Sequence, residues 1–267
     1  MLANTGYSFG GRAFEIQLEY GDFDDRTIKN VAVTMRTPGH DDDLSVGFLF
    51  TEGIIRDEKD VLAAIHIKTA CSAQKQNIIL LKLNKSCLPK LQHADRNFYT
   101  TSSCGVCGKS AISAIRTTSK FDQITSQLVP VDTNLLYKLP GLMTQAQNNF
   151  SATGGIHASG LFSAAGELLL LREDVGRHNA LDKLIGCALM LGLLPLNKHI
   201  LVLSGRASFE LIQKAAMAGI RIVAAMGAPS SLAVEVAHEF DITLAGFLSN
   251  KRLNVYTSGY RIYNGSI

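Results

Sequence analysis

"HILVLSGRASFELIQKAAMAGIRIVAAMGAPSSLAVEVAHEFDITLAGF" (199–247) decides the fold class. "HILVLSG" (199–205), "RIVAAMG" (221–227) and "DITLAGF" (241–247) are short apolar runs with the length of buried strands. Between them, residues from Ser208 and from Ser230 onward read as helices. Strands alternating with helices predict an α/β layered sheet.

Upstream, "HASGLFS" (157–163) and "ELLLLRED" (167–174) form a predicted hairpin around Ala164, Ala165 and Gly166. "RHNALDKLIGCALMLG" (177–192) reads as a helix whose later part is buried. "TNLLYKLPGLMTQAQNNF" (133–150) is helical with a kink or break at Pro140, and "KSAISAIRTT" (109–118) is also helical in pattern. "LNVYTS" (253–258) fits an edge strand. Earlier still, "KNVAVTMR" (29–36) and "NIILLKL" (77–83) are strand candidates. "TPGHDDDL" (37–44) is a turn with an acidic helix start, leading into an apolar helix over 44–55. The polar stretch between Asn84 and Ser103 divides a smaller N-terminal α+β lobe, 1–97, from a core, 98–267.

Composition sets bounds on function. A 46% hydrophobic and 18% charged chain builds a true core, and a net charge of +3 permits an anionic ligand without requiring a nucleic-acid surface. "LIGCALMLGLLPL" (184–196) is too short to span a bilayer and contains Pro195. The N-terminus has no signal-like apolar run, so a cytoplasmic protein without membrane attachment is expected. Five cysteines argue against a secreted disulfide scaffold, and Cys71, Cys87 and Cys187 read as buried small hydrophobes.

Cys104 and Cys107 are different. They stand at C-x-x-C spacing in "TSSCGVCGKSAIS" (101–113), beside Gly105 and Gly108 and just before the helix expected from Lys109 or Ser110. A helix N-terminus and the Lys109 charge favour thiolate, the nucleophilic form. A closed zinc site needs four ligands, and no second C-x-x-C or spaced histidine pair completes one, so no tightly held metal is expected. A thioredoxin-like disulfide is disfavoured by the polar "LQHADRNFYTTSS" before the cysteines. A zinc deaminase places H-x-E before C-x-x-C; here "HAS" (157–159) follows it and carries serine in the glutamate position.

Three further stretches are ligand candidates. "LSGRASFE" (203–210) and "MGAPSSLA" (226–233) are strand-to-helix turns that suit phosphate, with Arg206 as a bidentate grip. Ser208 and Ser230 also read as plain helix caps, a role compatible with binding. "REDVGRHNALDK" (172–183) is dense in charge, with Arg177 and His178 at a helix start. It reads either as a ligand-facing loop or as a solvated turn with an i,i+4 pair between His178 and Asp182. "FLSNKRLNVY" (247–256) offers Asn250, Lys251 and Arg252, or is an exposed hairpin turn.

Taken together, "TPGHDDDLSVGFLFTEGII", "SSCGVCGK", "TGGIHASGLF", "REDVGRHNALDK", "LSGRASFE" and "NVYTSGYRI" resemble, in chain order, the formate dehydrogenase accessory sulfurtransferases, the FdhD family. The resemblance implies a cytidine-deaminase-like layered core and a cytoplasmic homodimer. It implies relay of persulfide sulfur from a cysteine desulfurase to the molybdenum or tungsten bis(molybdopterin guanine dinucleotide) cofactor of formate dehydrogenase, with GDP as a mimic of part of that acceptor. Cys104 matches the persulfide carrier and Cys107 its companion. Phe247, Leu248, Ser249, Asn250, Lys251 and Arg252 match the cofactor-binding segment. The family pattern often has an Arg-Gly pair where Ser249 and Asn250 stand. Asn250 would preserve a left-handed turn, and Lys251 would supply charge as a point donor. The other function class compatible with these residues is a cofactor-binding chaperone whose cysteines only steady a loop; a zinc-bound hydrolase is a third.

Overall fold

The structure is a computed structural model. It describes residues 11–22, 24–67, 77–85, 87–89, 91, 120–121, 130–148, 150 and 154–265. Cys71, Cys104, Cys107, the helix expected over 109–118 and the boundary expected near residue 97 lie outside the described residues.

Two sheets organise the chain. The first has the order β2-β1-β4-β3 and is formed by β1 (Arg12–Asp22), β2 (Asp25–Arg36), β3 (Val61–His66) and β4 (Ile78–Leu83). β1 pairs antiparallel with β2 and parallel with β4. Phe14, Ile16 and Leu18 alternate along β1 and are buried, with Ile79, Leu81 and Leu83 of β4 in the same core. Helix α1 (Asp41–Thr51) opens with Asp41, Asp42 and Asp43, which favourably oppose the positive end of its dipole.

The second sheet contains β6 (His157–Phe162), β7 (Leu168–Asp174), β8 (Ile200–Leu203), β9 (Ile222–Ala225), β10 (Thr243–Gly246) and β11 (Asn254–Val255), in the order β11-β10-β9-β8-β6-β7. β8, β9 and β10 are parallel; β6, β7 and β11 attach antiparallel. Its central strands β8, β9 and β10 are buried on both faces, as strands covered on both sides require. Leu201, Leu203, Val223, Ala225 and Leu244 face one core, and Ile200, Val202, Ile222, Ala224 and Ala245 the other.

Short helices α2 (Thr133–Leu136) and α3 (Leu139–Ala146) cover the second of these faces through Leu136, Leu139 and Met143. Pro140 sits in the first turn of α3, so it separates two helices rather than kinking one. There β5 (Val131–Asp132) pairs with β12 (Ile262–Tyr263).

The first face is covered by α4 (Arg177–Met190), α5 (Phe209–Met217) and α6 (Ser231–Glu239). α1 packs on α4, and one continuous core runs from Phe14 and Leu81 of the first sheet through Leu49 and Leu184 to Leu244 of the second. The predicted strands and helices of 157–247 are thus present. β1 was not anticipated, although its apolar residues recur at every second position. Cys87 and Cys187 are buried, as expected.

Candidate functional site

β8, β9 and β10 are parallel, so the turns that follow them emerge at one edge of the sheet, the usual ligand edge of an open α/β sheet. β6 runs the other way, which brings His157, its first residue, to that edge. β7 ends there at Asp174, opposite His157. The turns are laced together beyond the strands. Met226 N donates to Leu203 O at 2.9 Å, Gly227 N to Gly205 O at 3.0 Å, Ser230 N to Ala207 O at 2.9 Å and Phe247 N to Gly227 O at 3.1 Å. Gly227 permits this approach, since a Cβ there would lie 2.8 Å from Arg206 N.

This edge gathers candidates that are far apart in sequence. Arg177 and His178 form the first turn of α4, Arg206 is exposed after β8, and the loop 247–252 follows β10. Phe247 adopts a left-handed backbone, φ 54°, and the Arg252 guanidinium stands 5.6 Å from its ring centre. Ser249 N donates to Arg252 O at 2.8 Å and closes the turn. Ser249, Asn250, Lys251 and Arg252 are exposed, whereas the Leu248 side chain belongs to the core beneath. The left-handed residue is therefore Phe247 and not Asn250, because the turn is entered directly from β10. The loop also forms the β10–β11 hairpin connection, so both readings of it apply.

The two serine turns differ. Ser230 caps α6, its hydroxyl accepting from Ala233 N at 3.2 Å. Ser208 occupies the same position ahead of α5 but makes no cap; its hydroxyl lies 3.2 Å from His178 Nε2. Glu210 Oε2 is 3.9 Å from the same nitrogen. Burial, the Arg177 charge and then Lys214 push the His178 pKa down to about 4. His157 is lowered too, first by burial and then by Arg177. Both imidazoles are neutral near pH 7 and serve as hydrogen-bonding groups. The cationic attraction of the edge comes from Arg177, Arg206, Lys251 and Arg252. The Arg177 Nε is buried without a hydrogen-bond partner among the described residues. No group of three or more His, Cys, Asp or Glu among the described residues could hold a metal ion.

The rest of "REDVGRHNALDK" is neither a solvated turn nor a ligand loop. Arg172 pairs with Asp43 of α1 at 2.8 Å. Asp174 is fully buried and accepts from Lys183 Nζ at 2.7 Å, Thr37 N at 3.0 Å and Gly176 N at 2.9 Å. Asp182 does not pair with His178, as i,i+4 spacing suggested. It meets Lys214 of α5 at 2.9 Å and accepts from Thr51 Oγ1 at 2.8 Å. Its helix face is covered by α1 and α5, so a buried cation outcompetes a half-exposed ring. Sequence reasoning named Lys183 and His157 without partners and passed over Lys214 and Thr37. Lysines inside otherwise apolar helices were the available signal, because such a lysine needs a partner when buried.

The sequence profile of the FdhD/NarQ family matches residues 17–263. The chain belongs to this family. Among FdhD/NarQ relatives, the sulfur carrier protein FdhD of Mycolicibacterium paratuberculosis is 48% identical over 235 residues, covering 87% of this chain and 86% of that one. Its counterpart from Streptomyces coelicolor is 46% identical over 237 residues, with coverages of 88% and 84%. That of Saccharolobus solfataricus is 38% identical over 235 residues, with the same coverages, 88% and 84%. The crystal structure of a putative formate dehydrogenase accessory protein from Desulfotalea psychrophila shares the fold. It has a TM-score of 0.65 and 21% identity and covers 94% of this chain and 90% of that one. No helix among the described residues of this FdhD/NarQ member is long and apolar enough to cross a membrane.

Proposed function

We propose that the protein is a sulfur carrier for formate dehydrogenase maturation. It takes persulfide sulfur from a cysteine desulfurase onto Cys104, assisted by Cys107, and passes it to a molybdenum bis(molybdopterin guanine dinucleotide) acceptor. It works as a cytoplasmic homodimer with a cytidine-deaminase-like core. Support comes from relatives named sulfur carrier protein FdhD and from the C-x-x-C sequence, whose Lys109 and following helical pattern are expected to favour thiolate. The observation that carries the ligand half of the reading is the sheet edge where Arg177, Arg206, Lys251 and Arg252 collect. A guanylated acceptor with several phosphates is polyanionic, and a row of cations over backbone turns suits it.

In this reading the Arg252–Phe247 pair gives a base a face to stack on, and His178 supplies neutral hydrogen bonds. The test is mass spectrometry after incubation with a desulfurase and cysteine. One added sulfur should map to the Cys104 peptide and vanish in Cys104→Ala. A Cys104→Ala/Cys107→Ala protein that still activates formate dehydrogenase would instead identify a cofactor-binding chaperone.

A further inference from the structure

Two polar contacts bridge α4 and α5. At the exposed ends of the helices His178 meets Ser208, with Glu210 beyond it. One turn deeper Asp182 meets Lys214. Because His178 and Asp182 are four apart, both project from the same face of α4 toward the same neighbour. Lys214 is also tied to α1, donating to Thr51 Oγ1 at 2.9 Å and to Glu52 Oε1 at 3.4 Å, with its ammonium 5.6 Å from the centre of the Phe48 ring. Burial works against the Lys214 ammonium, but the carboxylates of Asp182 and Glu52 outweigh burial and keep its pKa above the ordinary lysine value.

We propose that Asp182 and Lys214 are positioning residues for the ligand edge: their buried ion pair fixes α5 against α4 and so holds His178 on Ser208, presenting a neutral hydrogen-bonding pair to the guanylated, phosphorylated ligand. The proposal rests on the ligand reading above and adds residues that touch no ligand themselves. The divergence of the two serine turns is its second support. Ser230 spends its hydroxyl on a helix cap, whereas Ser208 leaves its helix uncapped and turns to the imidazole. Capping is the default use of such a serine, so its loss at Ser208 points to a role for the contact.

The charged and titratable groups facing His178 are Arg177 on its own helix, Lys214 and Glu210 on α5, and His157 on β6. Lys214 and Arg177 disfavour imidazolium; Glu210 favours it. Lys214 thereby acts on His178 twice, by geometry and by charge.

The test uses the full chain with Asp182→Leu/Lys214→Met, which removes both buried charges together and is the tolerated way to delete such a pair. Lys214→Gln, which retains hydrogen bonding to Asp182 and Thr51, and Ser208→Ala complete the set. The His178 titration is followed by NMR without ligand, and GDP binding by calorimetry. Expected are an upward move of the His178 midpoint in both Lys214 variants and GDP binding about tenfold weaker, the scale of one lost hydrogen bond. Ser208→Ala should weaken GDP similarly and add nothing when combined with the double variant. A folded double variant, or a folded Lys214→Gln, with an unmoved His178 midpoint overturns the proposal. Absence of GDP binding by the wild-type chain would instead refute the ligand reading, while the ligand-free His178–Ser208 contact, read from the imidazole NMR signals of the double variant against Ser208→Ala, still decides the positioning.

Discussion

Gly47 of α1 and Gly186 of α4 face each other where the two helices cross: a Cβ on Gly47 would lie 2.8 Å from Gly186 N, and one on Gly186 would lie 2.7 Å from Gly47 N. Each would come closer still to a carbonyl oxygen, that of Asp182 or of Asp43. The helices meet backbone to backbone, and this contact joins the first sheet to the second. Gly47→Ala or Gly186→Ala should cost at least ~3 kcal/mol, since neither backbone can yield without moving a layer. Gly141 in α3 has no described atom near its Cβ position, so Gly141→Ala should be neutral or stabilise by up to ~1 kcal/mol. Urea unfolding separates the cases, and equal stability of all three variants would contradict the crossing.

The Asp174–Lys183 pair ties the start of α4 to Thr37 of the segment before α1, because Lys183 Nζ also donates to Thr37 O at 2.8 Å. Lys183 is 1% exposed, and Lys183→Met would leave the Asp174 carboxylate without its counter-charge. Destabilisation of about 3–5 kcal/mol is expected. Lys120 and Asp57 form an ion pair of similar length, 2.9 Å, but at side-chain exposures of 41% and 38%. Lys120→Ala should change stability by less than ~1 kcal/mol. Comparable losses in the two variants would refute the burial argument.

Stability should fall as pH drops below the ordinary histidine range. In the folded chain the His178 pKa is about 4, against 6.5 for a free side chain. Between those values the unfolded chain binds a proton that the folded chain refuses. The contribution is therefore complete above pH 6.5 and lost as pH falls toward 4. The ring is 35% exposed, so solvent screening limits the effect to about 1–2 kcal/mol. His178→Gln should show a shallower fall in melting temperature over this window than the wild type; parallel curves would contradict the assignment.

Serine caps give a sharper contrast. Ser230→Ala removes the bond to Ala233 N and should cost about 1 kcal/mol. Ser208→Ala removes no cap and should cost less than ~0.5 kcal/mol. Thermal unfolding of the two variants side by side is sufficient, and the reverse order would overturn the reading of the α5 start.

Arg252 and Phe247 define the last prediction. Arg252→Ala removes a cation and its contact with the ring, and GDP affinity should fall about tenfold. Unchanged binding by calorimetry would move the anion contact toward Arg177 and His178.

Local pattern was enough to read most elements of the second sheet. The runs at 199–205, 221–227 and 241–247 are apolar on both faces because both faces are covered, and the serine-led helices between them have ordinary lengths. Pro140 and the acidic start of α1 are equally local signals. The loops after β8 and β10 were also legible as polar turns at strand ends, whereas Cys104 and Cys107 lie outside the described residues.

Partnership was a different matter. From the sequence, Asp182 had His178 four residues away and nothing else in view; the fold brings in Lys214, 32 positions later, and Thr51, 131 positions earlier. Burial decides between those partners, since a carboxylate removed from water requires a full opposite charge and hydrogen bonds, which a half-exposed neutral imidazole does not supply. The sequence by itself determined the strand and helix alternation and the chemistry of individual residues, because both depend on neighbours a few positions away. Only the tertiary structure decided which charges are buried structural pairs and which face outward at the sheet edge, because that depends on layers meeting across the whole chain.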